Sequence, residues 1–180
     1  MNDIQFFNKV VGKLKRNNRT NNNVSFIPRQ TLSVSIDDET YYVSLICDNN
    51  FQVQVVLLDE NNNIMYKILE VDGDRASIIK LNNSLYIFTD NAAYIYDINN
   101  LKRQPSILFL GNLDLQGICS NSNYIFAYSI TKDKIIKYDK NLLPVEEYNN
   151  SYSRDNLRIS VELACNENNF FSIPIMPMTP

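Results

Sequence analysis

The feature that most constrains this chain is a short pattern that returns at a near-constant interval. Lys80-Leu-Asn-Asn-Ser-Leu-Tyr-Ile-Phe88, Ile118-Cys-Ser-Asn-Ser-Asn-Tyr-Ile-Phe126 and Ala164-Cys-Asn-Glu-Asn-Asn-Phe-Phe-Ser172 each pass from a small or apolar pair, through an Asn/Ser turn, into an aromatic-led strand. A second pattern accompanies it: Val56-Leu-Leu-Asp59, Tyr94-Ile-Tyr-Asp97 and Ile136-Lys-Tyr-Asp139 are apolar strands closed by Asp, with Asn two to four residues further on. Copies stand 38 residues apart (Asp59 to Asp97), then 42 (Asp97 to Asp139), and 38 and 46 by the aromatic (Tyr86, Tyr124, Phe170). A unit of that size cannot bury both of its faces alone, so its neighbours in the chain must stack against it.

Between these landmarks the texture is β. Thr31 to Ile36 alternates apolar and polar with period two, and further short runs follow at 41 to 46, 51 to 58, 64 to 71, 76 to 81, 85 to 89 and 93 to 97. Others lie at 107 to 110, 124 to 130, 134 to 138 and 157 to 163, all bounded by Asp/Asn clusters. The chain has 27 Asn and only 4 Gly among 180 residues, so Asn is the residue best placed to take the left-handed turn positions. Upstream, Phe7, Val10, Val11 and Leu14 have the spacing of a short amphipathic helix, which runs into a polar, basic stretch over 15 to 23.

With about four short strands per 40 residues, the region from roughly 31 to 176 resembles the degenerate β-propeller repeat of the quinoprotein, NHL and YVTN kind. The resemblance implies an all-β fold of propeller-like repeats, preceded by a short N-terminal helix and basic arm. Neither a WD nor a Kelch double-glycine signature is present. About 150 residues at roughly 42 each make three and a half blades, which leaves a compact ring, an open arc and a fragment of a longer protein all open. An antiparallel β-sandwich is the alternative fold. The domain organisation expected is residues 1–30 as helix and arm, and residues 31–180 as the β-repeat domain with an extended tail.

Charge divides the chain in the same place. Residues 1 to 30 carry Lys9, Lys13, Lys15, Arg16, Arg19 and Arg29 against Asp3, a net +5, which leaves −8 on the remainder. A basic arm on an acidic body suits an acidic protein surface or nucleic acid through the arm alone, since the body's field repels phosphate. At the other end, Ser172-Ile-Pro-Ile-Met-Pro-Met-Thr-Pro180 is an apolar, Pro-punctuated segment suited to lying on another surface. Lys9, Lys13, Lys15, Arg16, Arg19, Ile175, Met176 and Met178 are therefore the expected partner-binding residues.

The chain has no His, which removes His-based acid/base catalysis, the Ser-His-Asp and Cys-His nucleophile systems and every His-ligated metal. Cys47, Cys119 and Cys165 lie far apart with no Cys-x-x-Cys pair, so buried, reduced thiols are expected, with Cys119 and Cys165 at equivalent positions of successive repeats. Asp59, Asn61, Asn63 and Glu70 meet positions 1, 3, 5 and 12 of a calcium loop, but Ile64 stands where that loop needs Gly. A hairpin turn capped by Asp and Asn accounts for them better, and Asp72-Gly-Asp74 reads as another turn. Asp133 and Asp139, flanked by Lys132, Lys134, Lys137 and Lys140, read as a mixed-charge hairpin rim. No catalytic residue, metal site or cofactor is expected.

These features lead to a non-catalytic structural or interaction module that docks into a larger assembly with other protein subunits. The arm–body–tail layout and Asn-rich composition suggest a viral or phage particle, and the repeats resemble domains of tail-associated proteins. A ligand- or carbohydrate-binding propeller, using some of the 11 Tyr and 9 Phe as stacking surfaces, is the second reading, and nucleic-acid contact through the arm is the third. No signal peptide or membrane span is evident, so a cytoplasmic or virion location is expected.

Overall fold

The computed structural model describes residues 27–47, 52–71, 73, 75–111, 114–153 and 161–175. The expected helix over 4 to 14, the basic arm with Lys9, Lys13, Lys15, Arg16 and Arg19, the tail residues Met176 and Met178, and Asp72 and Asp74 lie outside them.

The described chain is nearly all β. Its strands are β1 (Ile27–Ile36), β2 (Glu39–Cys47), β3 (Val53–Leu58), β4 (Ile64–Glu70), β5 (Ala76–Leu81), β6 (Ser84–Thr89) and β7 (Ala92–Asp97), then β8 (Ser106–Phe109), β9 (Leu115–Ser120), β10 (Ile125–Ser129), β11 (Lys134–Tyr138), β12 (Pro144–Asn149), β13 (Val161–Cys165) and β14 (Phe170–Pro174). They form four sheets in strict chain order: β1 to β4, β5 to β8, β9 to β12, and the two-stranded β13–β14. Three four-stranded meanders and a half are what the repeat spacing implies, and they replace the two sheets a sandwich would need.

Side-chain chemistry fixes the turns. Asp37 and Asp38 both take positive φ (52° and 64°), the backbone a two-residue hairpin requires, and they join β1 to β2. After β3, Asp59 Oδ1 accepts from the amides of Asn61 and Asn63 at 2.9 and 2.8 Å while Asn62 sits at φ 63°. Asp139 repeats the device after β11, accepting from Asn141 and Leu143 at 2.9 and 2.8 Å with Leu142 at φ 60°. A left-handed Leu costs about 1 kcal/mol, offset because its side chain is buried in the core with Ile136 and Tyr138. Asp97 caps the 3-10 turn Ile98–Asn100 through Asn99 N at 3.1 Å. The three Asp residues of the second sequence pattern are thus one turn-closing acceptor used three times.

The chain divides into two compact units, one ending at Ile78 and including Asp97–Gln104, the other made of Ile79–Tyr96 and Pro105–Pro180. In the first, Ile46, Val56 and Leu58 from the middle strands β2 and β3 form a buried cluster, and Ile98 and Leu101 are buried as well. The Gln30 amide acts as a short piece of backbone there: it donates to Ile78 O at 2.7 Å and accepts from Ile78 N at 2.9 Å. In the second unit a cluster around Leu81, Tyr86, Phe88, Ile125, Ile136 and Tyr138 joins the sheet β5 to β8 to the sheet β9 to β12, and Tyr86 Oη donates to Lys140 O at 2.6 Å across that seam. Each fourth strand is the outer, exposed one, and β12 guards its edge with charge: Lys132 and Lys134 pair with Glu147, and Lys137 with Glu146.

Candidate docking site

The half sheet is built like the start of the sheet before it. Asn121 N donates to Tyr124 O at 3.1 Å between β9 and β10, and Asn166 N to Asn169 O at 2.9 Å between β13 and β14. Each turn is held by its leading Asn, whose Oδ1 accepts two backbone amides, from Asn123 and Tyr124 in one and from Asn168 and Asn169 in the other. Matching the turns puts Asn166 on Asn121, so Phe170, Phe171, Ser172 and Ile173 stand where Ile125, Phe126, Ala127 and Tyr128 stand in β10.

One face of β13–β14 packs against the preceding sheet. Val161 and Leu163, with Phe170, Cys165 and Tyr152, cluster with Phe126, Tyr128 and Ile135. The Phe170 ring lies 5.0 Å from those of Phe126 and Tyr148. Gly117, at φ 49°, lets the two backbones meet: a Cβ there would stand 2.2 Å from Val161 O. It lies where β9 slips register against β10, a bulge that only a residue tolerant of positive φ fills easily.

Cys119 and Cys165 close this seam as a disulfide with Cα atoms 5.9 Å apart. This corrects the expectation of three reduced thiols, which holds for the buried Cys47 alone, a thiol outside any disulfide. It also corrects the expected equivalence. The two cysteines are 46 residues apart, one more than the two turns, and a shift of one residue along a strand turns a side chain to the opposite face. Equivalent cysteines would point the same way; these, one out of step, point at each other.

The other face of β13–β14 is exposed: Glu162 and Ala164 on β13, Phe171 and Ile173 on β14, then Ile175. Phe171, Ile173 and Ile175 are 53%, 61% and 41% exposed. Their counterparts on β10, Phe126 and Tyr128, are 4% and 0% exposed, because β13–β14 covers them. Of the residues expected to bind a partner, Ile175 is described and falls on this stripe. Sequence reasoning placed docking in a tail but missed that the strand before it carries the larger apolar surface; the Phe171/Ile173 alternation was the available signal.

The other candidates resolve into structural roles. Both Asp59 carboxylate oxygens are engaged, Oδ2 by Asn63 Nδ2 at 2.8 Å, so the group closes a hairpin. Among the described residues, no three Cys, Asp or Glu side chains gather as a metal site, and no helix is long and apolar enough to cross a membrane. Asp133 is not a rim charge, as the sequence suggested: its Oδ1 accepts from Tyr128 Oη, Asn150 Nδ2 and Ser153 Oγ at 2.8, 3.0 and 2.9 Å. The rim acid is Glu147, which Lys132 and Lys134 hold down at a pKa of about 2. Beside it, burial and the hydrogen bond to Glu146 push the Tyr148 phenol up to about 12, and that bond from Tyr148, then Lys137, lowers Glu146. A cleft of about 390 Å³ opens beside β14, lined by Tyr124, Lys137, Tyr148, Asn169 and Phe170 among others. Its rings are engaged: Tyr148 and Phe170 with each other, and Tyr124 with the Lys137 ammonium 4.3 Å from its centroid.

No family model matches the chain, and no curated protein matches it. One solved structure similar to it is that of BBS1N in complex with ARL6DN, from a crystal soaked with mercury: 10% identity, TM-score 0.52, covering 82% of this chain and 48% of that one. BBS1N is a β-propeller, and the likeness shows the fold alone: this chain is an all-β protein of propeller-like sheets. It spans about half the length of that structural relative.

Proposed function

We propose that this chain is a non-catalytic interaction module that docks into a larger assembly through the outward face of β13–β14. The observation that carries this is the contrast between equivalent positions: Phe126 and Tyr128 buried under the next sheet, Phe171 and Ile173 exposed. A contiguous apolar patch on a folded surface marks an interaction site, and here the same chain shows what covers such a face, namely another β-sheet bearing small aliphatic residues such as Val161 and Leu163.

Of the two locations expected from the sequence, the Cys119–Cys165 bridge supports the particle over the reducing cytosol. The assembly in this reading is a viral or phage particle, as layout and composition suggest. The test is isolation under non-denaturing conditions from the native source, wild type beside Phe171→Asp. The expected result is a stoichiometric complex for the wild type and a free chain with unchanged melting for the variant. A wild-type chain recovered only as a free monomer would remove the reading.

A further inference from the structure

Resting on that docking reading, we propose in addition that the edge of β14 receives an extended strand from another polypeptide, added antiparallel as the third strand of the half sheet. Among the described residues β14 pairs with β13 alone. In each of the other three sheets the second strand is flanked by a third: β3 beside β2, β7 beside β6, β11 beside β10. These third strands are largely buried and each is closed by an Asp, at 59, 97 and 139. A strand edge offers unpaired N–H and C=O groups to any segment able to pair with them. Proteins usually protect such edges with charge, as β12 does; Phe170–Ile173 carries no charged residue, and Pro174 falls only at the strand's end.

The preceding sheet supplies the register. There Tyr138, Lys137, Ile136 and Ile135 lie opposite Ile125, Phe126, Ala127 and Tyr128, so an incoming strand would set four such residues opposite Phe170, Phe171, Ser172 and Ile173. Pairing would stop at Pro174, which has no N–H to give. The cleft of about 390 Å³ lies on this path, between Lys137 and Tyr148 on one side and Phe170 on the other. In the adjacent pair of sheets the corresponding seam is closed by the third strand and its turn, with Tyr138 and Leu142 buried and Lys140 O bonded to Tyr86. The incoming strand is therefore expected to place an apolar or aromatic side chain opposite Phe170, filling the cleft, and to be followed by a turn-closing Asp.

A synthetic peptide copying residues 133–150, the chain's own β11–β12 hairpin, serves as the probe, titrated into the full-length protein. Saturable binding is expected, with NMR contacts between the peptide's Lys137 position and Phe171 of the protein. N-methylating alternate peptide amides, which keeps the side chains but removes backbone donors, is expected to weaken binding at least tenfold. In the native complex, the alternate β14 amides that point away from β13 should exchange with deuterium at least tenfold more slowly than in the free chain, while those bonded to β13 change little. Equal binding of both peptides, or β14 amides that exchange equally fast free and assembled, would overturn strand addition. So would protection, already in the monomer, of the alternate β14 amides that point away from β13. If Phe171→Asp still releases the chain from its complex while these outcomes occur, the docking face stands and only the added strand is lost; if Phe171→Asp releases nothing, the docking reading itself fails.

Discussion

β10 and β14 are the same strand in two settings. Both follow an Asn-closed turn, both pair antiparallel with the strand before them, and both set large apolar side chains on the face turned away from the preceding sheet. On β10 that face is core, because β13–β14 lies on it; on β14 it is surface. The sequence code for a covered face and for an exposed one is therefore alike here, and what differs is that β13–β14 lies on the first while no described element lies on the second. Stability variants should separate the two faces sharply, since only that of β10 is buried within the chain.

The largest effect is expected from Phe126→Ala, which removes a ring packed against Phe170 and should cost about 3–5 kcal/mol by denaturant titration. Phe171→Ala, at the equivalent position, should stay within about 0.5 kcal/mol of wild type. Comparable losses at both sites would erase the contrast. Next comes Gly117→Ala, where the new Cβ meets a backbone carbonyl and the φ is left-handed; a loss of roughly 3 kcal/mol is expected, with the damage confined to the seam between β9 and β13. A fully stable Gly117→Ala protein would show that the seam is looser than described.

The seam also shows what could and could not be read from sequence. The repeat spacing announced three and a half sheets and the Asp- and Asn-closed turns, because those depend on residues whose side chains act on their own backbone. β9 and β12 went unread. In β9 the bulge at Gly117 breaks the alternation that marks a strand, and β12, Pro-Val-Glu-Glu-Tyr-Asn, is an exposed outer strand whose charges look like a loop. The disulfide was hidden for a related reason: a sequence pattern aligned on aromatics made Cys119 and Cys165 equivalent, and the one-residue offset that lets them meet is visible only in the strand register. Asp133 was misjudged because its three partners come from β10 and from the segment after β12.

Two smaller predictions sharpen the picture inside the covered sheet. Tyr138 Oη is buried with no hydrogen-bond partner, and burial holds its pKa up at about 12. Removing an unsatisfied group relieves its desolvation cost, so Tyr138→Phe should be neutral or raise stability by up to about 1 kcal/mol in thermal melts. A clear loss would mean that the hydroxyl has a partner after all. The smallest effect concerns Glu147, whose folded pKa of about 2 lies below its ordinary 4.5. A lowered carboxylate pKa stabilises above the unfolded value and ceases to as pH falls through the folded one. A slight loss of melting temperature between pH 4.5 and 2, attenuated by salt and absent in Glu147→Gln, is the expected signature for so exposed a pair.

The most direct test of the central claim is side-chain footprinting of the two equivalent faces, in the isolated chain and in its native assembly. Carbene labelling should leave Phe126 and Tyr128 unmodified in both states, and should modify Phe171, Ile173 and Ile175 in the isolated chain but not in the assembly. Labelling of the β14 residues that is equally strong in both states, or protection of them in the isolated monomer, would contradict the claim that the half sheet's outward face is a docking surface.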